Sequence, residues 1–395
     1  LRAEIARIKI ENKTKVTAPF TLNPSTEAET RKVLIDVMLR ETGWNVEESG
    51  FSEYEVTGMP NKTGVGYVDY VLWGNDGLPL ALVEAKNTLH DPQKGQQQAQ
   101  LYADCLENKF GRRPVIFYSN GYKSWIWDDT LYPPRPVSGF YTKDELEWTI
   151  SKRNKESLLD AIINKDIAGR PYQERAIKRV SEAFEAQHRK ALLVMATGTG
   201  KTRTAIALVD IMLRQGWARR ILFLADRNAL VIQAKGNFVK FLPSLSCVNI
   251  TKEKENLHRM AFSTYPTMMN KIDVEKIDDL LFYTPAHFDM IIIDEAHRSV
   301  YQKYQSIFRY FDALLVGLTA TPKSEVDKNT YELFDLETHN PTDFYELDQA
   351  VTDGWLVAPK KIEVATKFLR DGIKYKDLSE EDKERYEEDF TDELS

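Results

Sequence analysis

The stretch ALLVMATGTGKTRTAIALV, residues 191–209, decides how the longer part of the chain is read. A short apolar run, a turn with two glycines and a run of apolar residues at helical spacing give a strand, a tight turn and a helix. Gly198 and Gly200 let the chain turn sharply, so consecutive backbone N–H groups and the positive end of the helix face one point. Such a cradle suits phosphate, which makes Thr197, Gly198, Thr199 and Gly200 candidate nucleotide-binding positions. Lys201 is placed to reach the β- and γ-phosphates of ATP, and Thr202 to give its hydroxyl to Mg2+. The full phosphate-loop pattern asks for glycine at position 195, where this chain has Met195.

Working outward, ALLVMA, RILFLA, MAFST, FDMIIIDEA and ALLVGLTAT are short apolar runs spread over residues 191–321. Alternating with helical segments, they predict a buried parallel sheet. The run FDMIIIDEA ends in two acids. Asp294 is placed to hold Mg2+, directly or through its water shell, and Glu295 to polarise an attacking water.

Upstream, YVDYVLWGNDGLPLALVEAKNT, residues 67–88, reads as a hairpin turning at GNDG. Asp69 and Glu84 fall on its two strands, where cross-strand pairing brings carboxylates together. Glu84 and Lys86 share a face of theirs. Two carboxylates for a divalent metal, with a cation beside them, are what phosphodiester cleavage needs. STEAETRKVLIDVMLRETGW predicts a helix with Val33, Leu34, Val37 and Met38 as its apolar face and Ser25 or Thr26 as N-cap. GQQQAQLYADCLENK predicts a second helix, with Gln98 and Tyr102 one turn apart on one face. RPVIFYSNG adds a strand and completes an αββαβ unit. LYPPRPVSG (131–139) then breaks the periodicity, and the first domain is expected to end near residue 155. The expected division is 1–155, 156–340, and a linker with an acidic segment over 341–395.

At 395 residues the chain is long enough for two or three domains, and 42% hydrophobic residues suffice for packed cores. No run is long and apolar enough to span a bilayer, and the charged opening LRAEIARIKIENKTK is not a secretory signal. Two widely separated cysteines, Cys105 and Cys247, exclude a disulfide framework and suit a reducing cytoplasm. Residues 371–395 hold 11 acids against 4 bases, which accounts for the whole net charge of −7. The balanced remainder neither requires nor forbids DNA binding. Because the first residue is Leu1, an N-terminal fragment is expected.

Several phrases carry a family resemblance. ATGTGKT, DEAH and GLTATP (Thr319, Thr321, Pro322) resemble motifs of the first RecA-like domain of superfamily 2 helicases and translocases. RPYQERAI resembles the adenine-recognising Q motif, which implies that the Gln173 amide bonds adenine N6 and N7 with Tyr172 or Arg170 packing nearby. Arg227, Ser263 and Thr264 fall where DNA-backbone motifs lie, and His297 where a residue links the nucleotide site to the DNA-side motif. No second RecA-like domain with an arginine finger follows Pro322, so this chain is expected to bind ATP and hydrolyse it poorly. The D-x14-E-A-K spacing of Asp69, Glu84 and Lys86 resembles the PD-(D/E)xK nuclease core, with Val68 in place of proline. Gln98 and Tyr102 resemble the Q-x-x-x-Y motif of RecB-like nucleases. By that resemblance Glu27 or Glu29, with Glu27 favoured by position, completes the metal site.

Nuclease ahead of motor, with TEAETR, VEAK, QAQLYA, FSTYPTMMN and DEAHRSVYQKY in this order, resembles the motor–nuclease subunit of type I restriction enzymes. The resemblance implies a restriction-endonuclease-like α/β domain followed by a RecA-like domain with a parallel sheet. It implies ATP and Mg2+ as cofactors, double-stranded DNA as substrate, and methylation and specificity subunits as partners. AdoMet would enter through the methylation subunit alone. A type III or recombination-repair helicase–nuclease, and a non-cleaving DNA-stimulated ATPase, stay open as alternatives.

Overall fold

The hairpin expected around GNDG is present and carries a third strand. β1 (Ser52–Thr57) runs antiparallel to β2 (Val65–Trp73), and β2 antiparallel to β3 (Pro79–Ala85). In this computed structural model, which describes residues 30–86, 95–253, 258–274, 276–296, 298–321 and 323–358, the GNDG turn is closed by the Gly74 N–H donating to the Leu78 carbonyl at 2.9 Å. Gly77 there takes φ of 75°, a left-handed value that glycine adopts without strain. β3 pairs in parallel with β4 (Val115–Ser119), and antiparallel β5 (Ser124–Trp127) and β6 (Arg135–Val137) complete a six-stranded sheet in chain order.

Both faces of this sheet are covered, so β3 is buried along its whole length. On β4, Val115 and Phe117 pack with Ile35, Leu39, Trp44 and Phe140. Ile116 and Tyr118 alternate to the other face, where Ala99, Ala103 and Leu106 of a long helix meet them. The first helix differs from its sequence reading. A π-helical turn over Arg31–Ile35 leads into α1 (Asp36–Glu41), with Ile35, Met38 and Leu39 buried and Val37 exposed. A π turn rotates the residues after it relative to an α-helical register, which displaces the apolar face. The proposed N-cap, Ser25 or Thr26, lies outside the described residues. The long helix is α2 (Gln96–Phe110), ended by Gly111 at φ 74°. α3 (Lys143–Ser151) starts with a capping box between Thr142 and Glu145.

The second sheet contains the five predicted strands as β7 (Lys190–Met195), β8 (Ile221–Ala225), β10 (Met260–Thr264), β13 (Met290–Asp294) and β14 (Leu314–Thr319), and two short ones besides. These are β9 (Cys247–Asn249) and β15 (Asp343–Tyr345); β11 (Lys276–Ile277) and β12 (Leu280–Leu281) form a separate antiparallel pair. The order is β15-β7-β14-β13-β8-β10-β9, and every pairing is parallel. This is a RecA-like α/β sheet. The sheet continues past residue 340, because β15 pairs with β7 and the Ala196 N–H donates to the Tyr345 carbonyl. The start of the linker expected at 341 is corrected accordingly. The described residues as far as Ala350 form one compact unit holding both sheets. The acidic stretch 371–395 lies outside the described residues. No described helix is long and apolar enough to cross a membrane.

Candidate functional site

Parallel strands put their C-terminal ends along one edge of a sheet, where α/β proteins bind ligands. In the second sheet that edge carries the phosphate-loop candidates after β7, Asp294 and Glu295 at the end of β13, and Thr319 and Thr321 at the end of β14. The register aligns them, with Asp294 opposite Leu318 and Thr319 opposite Val194. Met195, the departure from the loop pattern, is the buried last residue of β7 and no part of the turn.

The loop itself has Gly198 and Gly200 at φ 88° and 90°, and helix α5 (Lys201–Arg214) begins directly after it. Thr197 and Gly198 are exposed. Thr199 is buried; its N–H and its hydroxyl both bond the Ala196 carbonyl, at 3.2 and 2.6 Å, so this side chain shapes the turn. Lys201 Nζ stands 3.7 Å from Glu295 Oε1. Thr202, the next residue on α5, is half-buried. Burial, and then the Glu295 charge, push the Asp294 carboxyl above its ordinary range. Glu295 has φ of 54°, a left-handed conformation that costs a non-glycine residue energy and is retained where its surroundings impose it. Left-handed glycines, an open helix start, a lysine and two acids at a strand end suit a triphosphate with its Mg2+.

Gln173 opens α4 (Pro171–Glu185) and is buried. Its Nε2 donates to the Thr199 carbonyl at 3.0 Å and its Oε1 accepts the Arg170 N–H at 3.3 Å. The Tyr172 hydroxyl donates to the same Thr199 carbonyl at 2.8 Å, and its ring stacks on Tyr345 at 3.9 Å. Gln173 therefore braces the loop here, and a Cβ at Gly200 would fall 2.5 Å from its Nε2. Of the candidates for DNA contact or coupling, Arg227 is 81% exposed at the start of helix α6 (Asn228–Phe241). Ser263 is buried, its hydroxyl bonded to the Thr264 carbonyl. The Thr264 hydroxyl meets that of Thr267 at 2.9 Å, and the buried Thr319 hydroxyl accepts the Thr321 N–H at 3.2 Å. His297 and Pro322 lie outside the described residues.

In the first sheet the structure joins the hairpin residues to α2. Tyr70 pairs with Val83, so Asp69 and Glu84 stand at the next register step. Asp69 Oδ2 accepts the Ala85 N–H at 2.7 Å, and Glu84, 2% exposed, takes Lys86 Nζ at 2.6 Å. Lys86 Nζ also reaches Gln98 Oε1 at 3.5 Å, and Gln98 Nε2 donates to the Tyr102 hydroxyl at 2.8 Å. Burial and the nearby Glu84 and Asp69 charges raise the Tyr102 phenol above its usual range, against the Gln98 hydrogen bond. Close packing makes this possible. A Cβ at Gly95 would lie 3.2 Å from Glu84 Cγ, and one at Gly66 2.6 Å from the Tyr102 ring.

Sequence reasoning missed both glycines and also Arg31, whose Nη1 lies 3.2 Å from Asp69 Oδ1. A lone arginine near a helix start gives no local signal. Glu27 and Glu29 lie outside the described residues, and among the described residues no cluster of three ligating side chains forms. Two carboxylates on adjoining strands, Asp69 and Glu84, still suit a hard cation that keeps several waters.

Residues 50–135, most of the first sheet, match the family model for the type I restriction enzyme R protein N terminus. Residues 166–324 match the model for the res subunit of type III restriction enzymes. The endonuclease subunit of type I restriction enzyme EcoAI from Escherichia coli is 33% identical over 314 residues, 74% of this chain and 37% of that one. The chain belongs to the R-subunit family of type I restriction enzymes. The EcoKI endonuclease subunit of Escherichia coli strain K12 is 27% identical over 445 residues, covering 89% of this chain and 37% of its own. A solved fragment of a putative HsdR subunit from Vibrio vulnificus YJ016 is 26% identical with a TM-score of 0.38, over 83% of this chain and 61% of that one. This R-family chain thus spans little more than a third of the length of these two curated relatives.

Proposed function

We propose that this chain holds the DNA-cutting site and the ATP-binding half of a type I restriction motor. The observation that carries the reading is the hydrogen-bonded set of Glu84, Lys86, Gln98 and Tyr102, with Asp69 on the adjoining strand. In the whole protein, with methylation and specificity subunits, the motor would draw double-stranded DNA past the complex before the hairpin site cuts.

At the hairpin, Asp69 and Glu84 would hold a divalent cation, which supplies Lewis-acid charge at a phosphate and acidifies a bound water. Lys86 brings positive charge to the point where negative charge grows during attack. Tyr102, bonded to Gln98, fixes that side chain against Lys86. At the nucleotide edge Gly198, Gly200 and the start of α5 bind phosphate, and Lys201 draws the γ-phosphate toward Glu295. Thr202 and Asp294 would hold Mg2+. The same sheet edge lets Asp294 and Thr319 respond together to hydrolysis.

Paired substitutions in the complete enzyme test this. Asp69→Asn should abolish Mg2+-dependent cleavage and leave DNA-stimulated ATP hydrolysis, whereas Lys201→Ala should abolish hydrolysis and, with it, remote cutting. Undiminished cleavage by Asp69→Asn would remove the nuclease assignment.

A further inference from the structure

Arg31 is joined to the hairpin in a way the cleavage reading leaves unused. Its Nη1 lies 3.2 Å from Asp69 Oδ1 and 3.2 Å from Glu53 Oε1, bridging two carboxylates. The guanidinium sits over the Tyr70 ring at 5.2 Å, and Tyr70 is itself held by donating to Asp36 Oδ1 at 2.7 Å. Glu53 stands opposite Asp69 in the β1–β2 register. It takes φ of 50°, and no pairing joins it to Asp69, although Ser52 and Tyr54 on either side pair with Tyr70 and Val68. The interruption points Glu53 at Arg31.

The two carboxylates of the hairpin are therefore compensated differently. Glu84 is paired by Lys86, two residues along its own strand. Asp69 has one oxygen fixed by the neutral Ala85 N–H and the other on a cation from a different element. A divalent cation bound by Asp69 needs that second oxygen, and its charge repels a guanidinium at hydrogen-bond distance. Glu53, 71% exposed, gives the displaced guanidinium somewhere to go. Resting on the nuclease reading of the hairpin, we propose that Arg31 is a latch on Asp69. It holds the carboxylate in place without metal and yields it, turning onto Glu53, when a divalent cation binds. Arg31 is on this account a positioning residue.

Mn2+ binding to the full chain, followed by the electron paramagnetic resonance of free Mn2+, tests the latch. The binding component lost in Asp69→Asn defines the hairpin site. Arg31→Gln removes the competing cation and should tighten that component about tenfold. Arg31→Lys keeps the charge but lacks the flat guanidinium that lies over the Tyr70 ring and holds Nη1 between the two carboxylates, and should tighten it as well. Unchanged or weaker binding in Arg31→Gln overturns the latch. Tighter binding in Arg31→Gln with unaltered affinity in Arg31→Lys also overturns it, since net charge then suffices. If the wild-type chain has no Asp69-dependent component, the nuclease reading itself fails and the latch falls with it.

Discussion

Arg135, on the outer strand β6 of the first sheet, and Asp312, in the turn leading into β14 of the second, form a two-point ion pair at 2.7 and 2.6 Å. Arg189 joins the same carboxylate at 2.7 Å, and the Tyr141 hydroxyl donates to it. A second carboxylate plays the same part for the neighbouring strand. Asp289, just ahead of β13, accepts from Trp148 Nε1 at 2.6 Å and Lys152 Nζ at 3.1 Å, both from the segment that follows the first sheet. The strands that end in Asp294 and Thr319 thus begin at carboxylates held from the side of the first sheet. Burial alone would raise the Asp312 carboxyl, but Arg135 and Arg189 outweigh it and hold the group far below the carboxylate range.

Asp312→Ala leaves two half-buried arginines without the carboxylate they share. Breaking a buried pair in this way costs about 3–5 kcal/mol, so urea unfolding should show a loss of that order. A loss below about 1 kcal/mol would mean that water already screens the cluster. With its folded pKa depressed, Asp312 contributes fully above the ordinary carboxylate range and loses its contribution only as pH falls through that range and below it.

His287 acts at higher pH. It is buried, its Nε2 finds no hydrogen-bond partner among the described residues, and burial first, then the Arg220 charge, push its pKa well below the usual value. The folded pKa lies below the unfolded one, so the unfolded chain takes up the proton first. Stability is therefore greatest above about pH 6.5 and declines below it, by at most about 1.4 kcal/mol per pH unit. His287→Phe should flatten the urea midpoint between pH 7 and 5. An unaltered slope would assign the acid sensitivity to other groups.

Gln173 braces the phosphate loop through its nitrogen, which donates to the Thr199 carbonyl, while its oxygen accepts the Arg170 N–H. Gln173→Ala should therefore weaken ATP and GTP binding alike, by about tenfold, the weight of one or two hydrogen bonds. Equilibrium titration with both nucleotides checks it. A loss confined to ATP would instead favour direct recognition of adenine by this amide.

Gly66 sits under the Tyr102 ring, with 2.6 Å for a Cβ that does not exist. Gly66→Ala should lower stability by roughly 1–3 kcal/mol and displace Tyr102, reducing cleavage while ATP binding is kept. Cleavage at the wild-type rate would show that the ring can move without consequence.

The five central strands of the second sheet were legible because burial on both faces of a parallel sheet leaves near-continuous apolar runs, as in MIIID and LLVGLT. The hairpin was legible from GNDG. β1 was not, since SEYEVT is an edge strand whose side chains are largely exposed, and β15 is three residues long. The apolar face of α1 was misplaced because a π turn leaves no mark in residue spacing. In the candidate sites, residues with chemistry in their side chains and a fixed spacing could be named from the sequence. Those acting by close approach, Gly66 and Gly95, or by a contact made across elements, Arg31, depend on the folded geometry. Gln173 shows the converse: a motif identified the residue, and its hydrogen bonds gave it a bracing part.

The most direct test of the central claim, that the hairpin cuts DNA, is Lys86→Ala in the complete enzyme, with cleavage and ATP hydrolysis measured on one sample. Mg2+-dependent cleavage should fall by about a hundredfold or more while DNA-stimulated hydrolysis stays near the wild-type rate. Cleavage within twofold of wild type would contradict the account.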